Sequence, residues 1–307
     1  MNGLEILATG RGIPGNVVTN DDLSKIVDTN DEWISTRTGI KCRQFCGAEE
    51  TNWQLALQAA ETAIHHAKID RKEIGLLIVA TFTPDYATPS IACILQKELG
   101  LSHHIIAFDL NAACSGFLYG IGVAHSMMQD VEKPYALVIG SEQISSRLNM
   151  EDRNTCVLFG DGAGAVILKK SDKKFYSVLG AEGNVDILNC DKNGVFMDGK
   201  TVFKTAVRTI PHIAEKLLIK SGLTMDDVDY VVCHQANLRI IKSVIKQLNA
   251  PEEKFYINIE RYGNTSAASI PIALDEMKEK GMLAPGKKIM CVGFGAGVTY
   301  GGFLMEL

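Results

Sequence analysis

Residues 54–67 (QLALQAAETAIHHA) carry apolar side chains at helical spacing, and residues 75–81 (GLLIVAT) form a short continuous apolar run. The first pattern predicts a helix with one face on a core, the second a strand covered on both faces. Helical and strand-like segments alternate in this way along the chain, which predicts a parallel, layered α/β fold. No linker rich in Ser, Pro or Gly divides it. The one irregular stretch of any size lies at about 180–199, where Gly, Asn and Asp supply turn signals.

The pattern also repeats. Slid by 154 residues, Ala60, Glu61, Ile64, Ile69, Ile74 and Ile78 fall on Ala214, Glu215, Leu218, Leu223, Val228 and Val232, so a helix, a turn and a strand recur. Slid by 150, Phe108-Asp109-Leu110 falls on Asn258-Ile259-Glu260, and Cys114 falls on Asn264. Either shift is about half of the 307 residues, which predicts two βα-rich halves, 1–170 and 171–307, from a duplication. Cys114 and Asn264 would then occupy equivalent loops and meet at a pseudo-twofold axis.

Composition narrows the class. Apolar residues make up 46% and charged residues 22%, with 8 Pro against 28 Gly, the balance of a packed enzyme rather than a tail. A net charge of -5 argues against nucleic acid as a partner, because phosphates require a basic excess. No run reaches the roughly 18 apolar residues that span a bilayer, and MNGLEILATG lacks the basic and apolar regions of a signal peptide. The expectation is a cytoplasmic protein away from membranes. Its eight cysteines are then reduced, and serve as core residues, ligands or nucleophiles.

Cys114 lies where an apolar strand ends at Asn111-Ala112-Ala113 and a Gly-containing helix begins at Ser115. Most cysteines in apolar surroundings are small core residues, but the positive end of a helix dipole favours a thiolate and so a nucleophile. His234 follows the run Val231-Val232-Cys233 and projects from the carboxyl end of a strand, where open α/β sheets keep their sites. Its neighbours Gln235 and Asn237 would be costly inside an apolar core, which favours a cleft over a purely structural histidine. Asn264, in RYGNTSAAS, suits a helix cap as well as a site.

Other signals are weaker. FGDGAGAV at 159–166 and GFGAGVTYGG at 293–302 lack the phosphate-loop lysine and the third dinucleotide glycine, so they read as close backbone packing around a site. Cys42 and Cys46 have half of a zinc spacing without a second half, and no metal is expected. Lys200, Lys204 and Arg208, and Arg239, Lys242 and Lys246, form two basic stripes if helical. Such stripes are commonly solvated faces; two of them on an acidic chain also suit an anionic partner.

Taken together, AACSGF around Cys114, CHQANLRI around His234, YGNTSAAS around Asn264 and the early DEWISTRTGI resemble the β-ketoacyl-[acyl carrier protein] synthase III family, the condensing enzymes that start type II fatty acid synthesis. The resemblance runs over nearly the whole chain. It implies the thiolase fold, a duplicated five-layered αβαβα sandwich, and a homodimer. It also implies that Cys114 takes the acyl group from acyl-CoA, and that His234 and Asn264 hold the thioester carbonyl of malonyl-[acyl carrier protein] as it decarboxylates.

By the same matching, the backbone N–H groups of Cys114 and Ala296 form the oxyanion hole. Relatives often have Gly at the second position, so a need for positive φ there would make Ala296 strained. Trp33 and Arg153 would sandwich the adenine of coenzyme A, with Arg37 and Asn237 along the same channel. Lys204, Arg208 and Arg239 would receive the carrier protein, and Thr88 would close the partner subunit's acyl pocket, where some relatives have Phe. Ile187, Leu188 or Phe196 from the 184–196 loop could refill the space that Thr88 leaves. No cofactor is implied beyond coenzyme A as part of a substrate.

Three other readings compete. A thiolase would share Cys291-Val292-Gly293 but carry a Gly-His-Pro segment where this chain has Gly263-Asn264-Thr265, so Cys291 reads as a strand cysteine. A condensing enzyme of secondary metabolism would share the Cys-His-Asn set. A non-catalytic carrier-protein scaffold would have no need of all three groups.

Overall fold

The computed structural model describes residues 3–307. Helix Asn52–Ala67 and strand Ile74–Ala80 stand where the apolar pattern puts them. The helix opens on a Thr51–Gln54 capping box and ends on Lys68 in the left-handed conformation. Every residue of the strand is buried.

Five strands form the first sheet, in the order Gly3–Gly12, Gly162–Ser171, Tyr135–Glu142, Ile74–Ala80 and Ile106–Leu110. Four form the second, in the order Tyr230–Cys233, Lys288–Gly295, Gly297–Glu306 and Phe175–Asn184. The layered α/β expectation holds, but its parallel strands are only part of the two sheets. The last two pairings of the first sheet and the first pairing of the second are parallel, and the others are antiparallel. Consecutive strands joined by tight turns, as at Gly295–Gly297, have no crossover helix and must run antiparallel. The irregular stretch at 180–199 is also more ordered than expected: it holds the end of strand Phe175–Asn184 and a hairpin, Leu188–Asp191 with Gly194–Met197.

Helices Asn52–Ala67 and Ile91–Glu98 cover the outer face of the first sheet, and Gly199–Ser221 covers that of the second with Leu238–Gln247 packed against it. Helices Gly116–Met127 and Ser269–Glu279 lie between the sheets, completing five layers, α, β, α, β and α. Helix Gly116–Met127 is apolar on nearly every side because both its faces meet a sheet, while Ser269–Glu279 is nearly all buried but carries Asp275 and Glu276 on hydrogen-bonded partners. Phe117, Leu118, Ile121, Ile270, Leu274 and Met277 are all buried in this layer with Ile78, Val138, Val232 and Phe303 from the sheets. Each such side chain contributes roughly 1.5–3 kcal/mol on burial.

The recurrence found by shifting is a structural one. Helix Asn52–Ala67, a 3-10 turn and strand Ile74–Ala80 match helix Gly199–Ser221, a 3-10 turn and strand Tyr230–Cys233. The central layer is close-packed where the strands of the first sheet end: a Cβ on Gly140 would stand 2.2 Å from the carbonyl oxygen of Ala267. Gly140→Ala is therefore expected to cost about 1–3 kcal/mol, read as a lower midpoint in thermal unfolding; an unchanged midpoint would show that the layer can open.

Candidate active site

The central helices start at two matching turns. In Asn111-Ala112-Ala113-Cys114-Ser115 the Asn111 Oδ1 accepts from the Ala113 N–H at 3.1 Å, and Ala113 has φ +46°. In Asn264-Thr265-Ser266-Ala267-Ala268 the Asn264 Oδ1 accepts from the Ser266 N–H at 2.9 Å, and Ser266 has φ +48°. The equivalence is thus 153 residues, with Asn264 matching Asn111 rather than Cys114. The 150-residue shift fails because it aligns strand Ile106–Leu110 with a segment that folds as the short helix Ile259–Tyr262.

Asn264 is held further by its backbone, donating to the Leu158 carbonyl at 2.8 Å and accepting from the Gly160 N–H at 3.1 Å. The glycines of 159–166 serve this approach, since a Cβ on Gly160 would lie 2.3 Å from the Tyr262 carbonyl oxygen. Those of 293–302 do the same for Cys114: a Cβ on Gly295 would lie 2.7 Å from the Cys114 nitrogen. Thr299 Oγ1 ties the turn at Ala296 to that at Cys114, lying 2.8 Å from the Ala112 carbonyl and from Ser115 Oγ and 3.1 Å from the Ala296 carbonyl. Positive φ falls on Gly297, not on Ala296, so alanine sits there without backbone strain.

Cys114, His234 and Asn264 line one cavity of about 1540 Å³. The Cys114 sulfur faces the backbone N–H groups of Cys114 and Ala296 and the hydroxyl of Ser266. The expected thiolate is not the resting form. Burial is the largest influence and pushes the thiol up to about 11, with Glu142 adding to the rise and the three hydrogen bonds opposing it. Cys114 also lies within a 3-10 turn, Ala113–Ser115, ahead of the helix proper, which starts at Gly116.

His234 Nδ1 lies 2.7 Å from Ser269 Oγ, which also accepts from the Gln235 N–H at 3.4 Å. Ser269 thus holds Nδ1 in place, and with the serine as donor to it Nε2 carries the ring proton into the cavity. Burial lowers His234 to about 3, leaving a neutral imidazole. Asn264 likewise has its oxygen engaged by Ser266 N–H, which turns the amide NH₂ outward. Two neutral donors and a thiol therefore share one pocket.

Trp33, Arg37, Asn237, Lys204, Arg239 and Ala296 line the same cavity. Asn237 also caps helix Leu238–Gln247 through Arg239 N and donates to the Arg37 carbonyl. Arg37 and Arg153 each stack on Trp33, with Cζ 4.6 and 4.8 Å from the ring centroid. Arg153 rests against the indole with no space for a third plane, so a base sandwiched between them requires Arg153 to swing away.

Arg208 and Thr88 do not line the cavity: Arg208 lies 3.6 Å from Glu182, and Thr88 is exposed in the 84–90 segment. Leu188 lines it, whereas Phe196 points to solvent. Cys291 is a buried strand cysteine. Among the described residues, no three His, Cys, Asp or Glu side chains gather as a metal site, and no helix is long and apolar enough to cross a membrane.

Glu142, Ser266, Ser269 and Thr299 were not singled out from sequence. Only Glu142 left a trace there, as a charge ending the apolar run YALVIGS. For His234, ring nitrogen shifts should report the neutral Nε2–H tautomer from pH 8 down to pH 5. The unfolded ring gains a proton near 6.5, so stability should fall as pH drops below that value. A ring that titrates near 6.5 in the folded protein would refute both statements.

Comparison with known proteins places this geometry. Residues 108–186 match the model of 3-oxoacyl-[acyl-carrier-protein (ACP)] synthase III, and residues 218–307 match that of its C-terminal part. The beta-ketoacyl-[acyl-carrier-protein] synthase III of Clostridium acetobutylicum is 46% identical, covering 100% of this chain and 99% of its own. The crystal structure of the 3-oxoacyl-[acyl-carrier-protein] synthase III from Aquifex aeolicus VF5 superposes with a TM-score of 0.96 at 44% identity, over 99% of this chain and 100% of that one. The priming β-ketosynthase from the R1128 polyketide biosynthetic pathway superposes with a TM-score of 0.94 at 34% identity, over 99% and 96%. With nearly complete coverage at these identities and the thiolase-type sandwich in common, the chain belongs to the 3-oxoacyl-[acyl-carrier-protein] synthase III family.

Proposed function

We propose that Cys114, His234 and Asn264 divide between them a decarboxylative Claisen condensation, which joins an acyl-CoA primer to malonyl-[acyl carrier protein] at the start of fatty acid synthesis. The observation that carries this reading is the set of donors around one pocket: two backbone N–H groups at the Cys114 sulfur, and two neutral side-chain donors beside it.

The Cys114 sulfur attacks the primer thioester, and the coenzyme A thiolate leaves. The N–H groups of Cys114 and Ala296 hold the oxygen that becomes negative. Malonyl-[acyl carrier protein] then loses carbon dioxide, and the electron pair moves to its thioester oxygen. His234 Nε2–H and Asn264 NH₂ donate to that oxygen; a neutral imidazole suits this step because it binds the enolate without giving up its proton. The enolate carbon attacks the acyl-Cys114 carbonyl and expels the Cys114 thiolate.

In this reading Trp33, Arg37, Arg153 and Asn237 receive coenzyme A. Lys204, Arg208 and Arg239, near or on the rim of the same cavity, receive the acidic carrier protein. The active form is a homodimer in which Thr88 of a second copy limits the acyl pocket, and the two halves 1–170 and 171–307 are the duplicated units. The exposed edge of strand Ile106–Leu110 and the exposed Tyr86 beside Thr88 support such pairing.

Intact-mass measurement after incubation with acetyl-, butyryl-, isobutyryl- and octanoyl-CoA should find an acyl group on Cys114 and name the preferred primer; preference for chains longer than acetyl supports Thr88 as an open pocket end. Cys114→Ala should abolish acylation yet keep decarboxylation. His234→Ala or Asn264→Ala should lose decarboxylation by on the order of a hundredfold. The assignment of roles is wrong if His234→Ala decarboxylates normally.

Arg239→Glu or Lys204→Glu should raise KM for malonyl-[acyl carrier protein] while leaving acylation by acyl-CoA nearly unchanged, and the wild-type KM should rise with salt. Insensitivity of KM to salt would remove the basic rim as the docking surface.

A further inference from the structure

Cys114 is a thiol at rest, and it cannot attack a thioester without losing its proton. With Ser269 donating to its Nδ1, the neutral His234 carries its proton on Nε2 and offers no base there.

Glu142 ends strand Tyr135–Glu142 and is completely buried. Its Oε2 is saturated: it accepts from Thr83 Oγ1 at 2.6 Å, Thr81 Oγ1 at 3.2 Å and the Phe82 N–H at 3.2 Å. The threonine protons are committed there, because Thr81 Oγ1 itself accepts from Asn52 Nδ2 and Thr83 N–H, and Thr83 Oγ1 accepts from the Gln143 N–H. Its Oε1 is treated differently. It accepts from Ser266 Oγ alone, at 3.1 Å. The turn that carries Ser266 packs against the turn that carries Cys114, and the Ser266 hydroxyl is the side-chain group that favours the ionised form of the Cys114 sulfur. The positive φ of Ser266, unusual for a residue with a side chain, aims the hydroxyl between the two.

We propose that Ser266 and Glu142 are the proton relay of Cys114. As the sulfur attacks, its proton passes to Ser266 Oγ, and the serine's own proton passes to Glu142 Oε1, so the serine ends as it began and the carboxylate becomes a carboxylic acid. The coenzyme A thiolate that leaves takes its proton from water. When condensation expels the Cys114 thiolate, the two transfers reverse and Glu142 is again ionised. One proton is consumed over the cycle, which is the one on coenzyme A. This inference rests on Cys114 as the acylated nucleophile.

Burial raises Glu142 to about 7, against which its four hydrogen bonds pull. It is thus matched to accept a proton near neutral pH. The titratable groups that influence or feel it are Cys114 on the adjoining turn and Cys190 on the hairpin strand Leu188–Asp191; the remaining contacts are the threonines, Phe82 N–H and Ser266.

The test is rapid-quench mass spectrometry of Cys114 acylation between pH 5.5 and 9, in the wild type, Glu142→Gln and Ser266→Ala. Wild-type acylation should rise with pH and level off above about 7. Both variants should be slower at pH 7 by on the order of a hundredfold, and their rates should keep climbing through pH 9 as the thiol itself ionises. Ser266→Ala keeps the backbone bond to Asn264 and three of the four donors to Glu142, so it reports even if Glu142→Gln fails to fold. Malonyl-[acyl carrier protein] decarboxylation, which uses no thiol proton, separates a relay from a structural prop. Acylation that falls with the changed pH profile while decarboxylation persists supports the relay. A Ser266→Ala variant with the wild-type rate and profile, or one that loses both half-reactions equally, overturns it. A wild type whose Cys114 takes no acyl group overturns the reading of Cys114 itself, and the relay with it.

Discussion

The two helices buried between the sheets begin side by side, and the turns Asn111–Ser115 and Asn264–Ala268 make this possible. The first N–H groups of a helix have no partner inside it, and here water does not reach them freely. Each turn answers with an asparagine oxygen and one left-handed residue, Ala113 or Ser266. Such a residue costs on the order of 1–3 kcal/mol when it is not glycine. The surrounding packing holds it: a Cβ on Gly116 would stand 3.5 Å from that of Ala267, and Gly140 touches the Ala267 carbonyl. The nucleophile, the amide donor and the relay serine are all by-products of this meeting of helix starts.

The same burial decides the charge state of the site. It raises the thiol of Cys114, raises the carboxyl of Glu142 and lowers the imidazole of His234, in each case against the charged form. A thiol and an uncharged imidazole therefore wait in a pocket of low polarity. Hydrogen-bond donors act more strongly on a developing negative oxygen in such surroundings than in water, so the desolvation that suppresses the thiolate also strengthens the two oxyanion sites. The chemistry then depends on where the thiol proton goes, and the asymmetric hydrogen bonding of Glu142 leaves one oxygen to Ser266 alone.

Basic residues around the mouth act at longer range than this. Arg239 lies with its Cζ 5.8 Å from the Phe203 ring centroid, and Lys204 shares the cavity rim, while Arg208 is turned toward Glu182. An acidic carrier protein would meet a positive rim on a chain of net charge -5. The local sign of the surface, not the overall charge, governs such an encounter.

Much of this was legible in the sequence. Period and run length predicted a helix over 54–67 and a strand over 75–81, within two residues of those found at Asn52–Ala67 and Ile74–Ala80, since these follow from which faces must leave water. Self-comparison found the internal repeat, and residue chemistry with its neighbours picked out Cys114, His234 and Asn264. The alignment of the two turns was legible only to within a few residues, because Ala113 and Ser266 share a backbone conformation and no side-chain pattern. The strand directions, the neutral resting state of Cys114, and the parts played by Ser269, Ser266 and Glu142 were decided by the tertiary structure alone. Burial and hydrogen bonds to Cys114 and His234 come from segments far away in the chain, Glu142 against Ser266 being 124 residues apart. Local sequence determines what a side chain can do; which proton it holds is determined by neighbours that only folding brings to it.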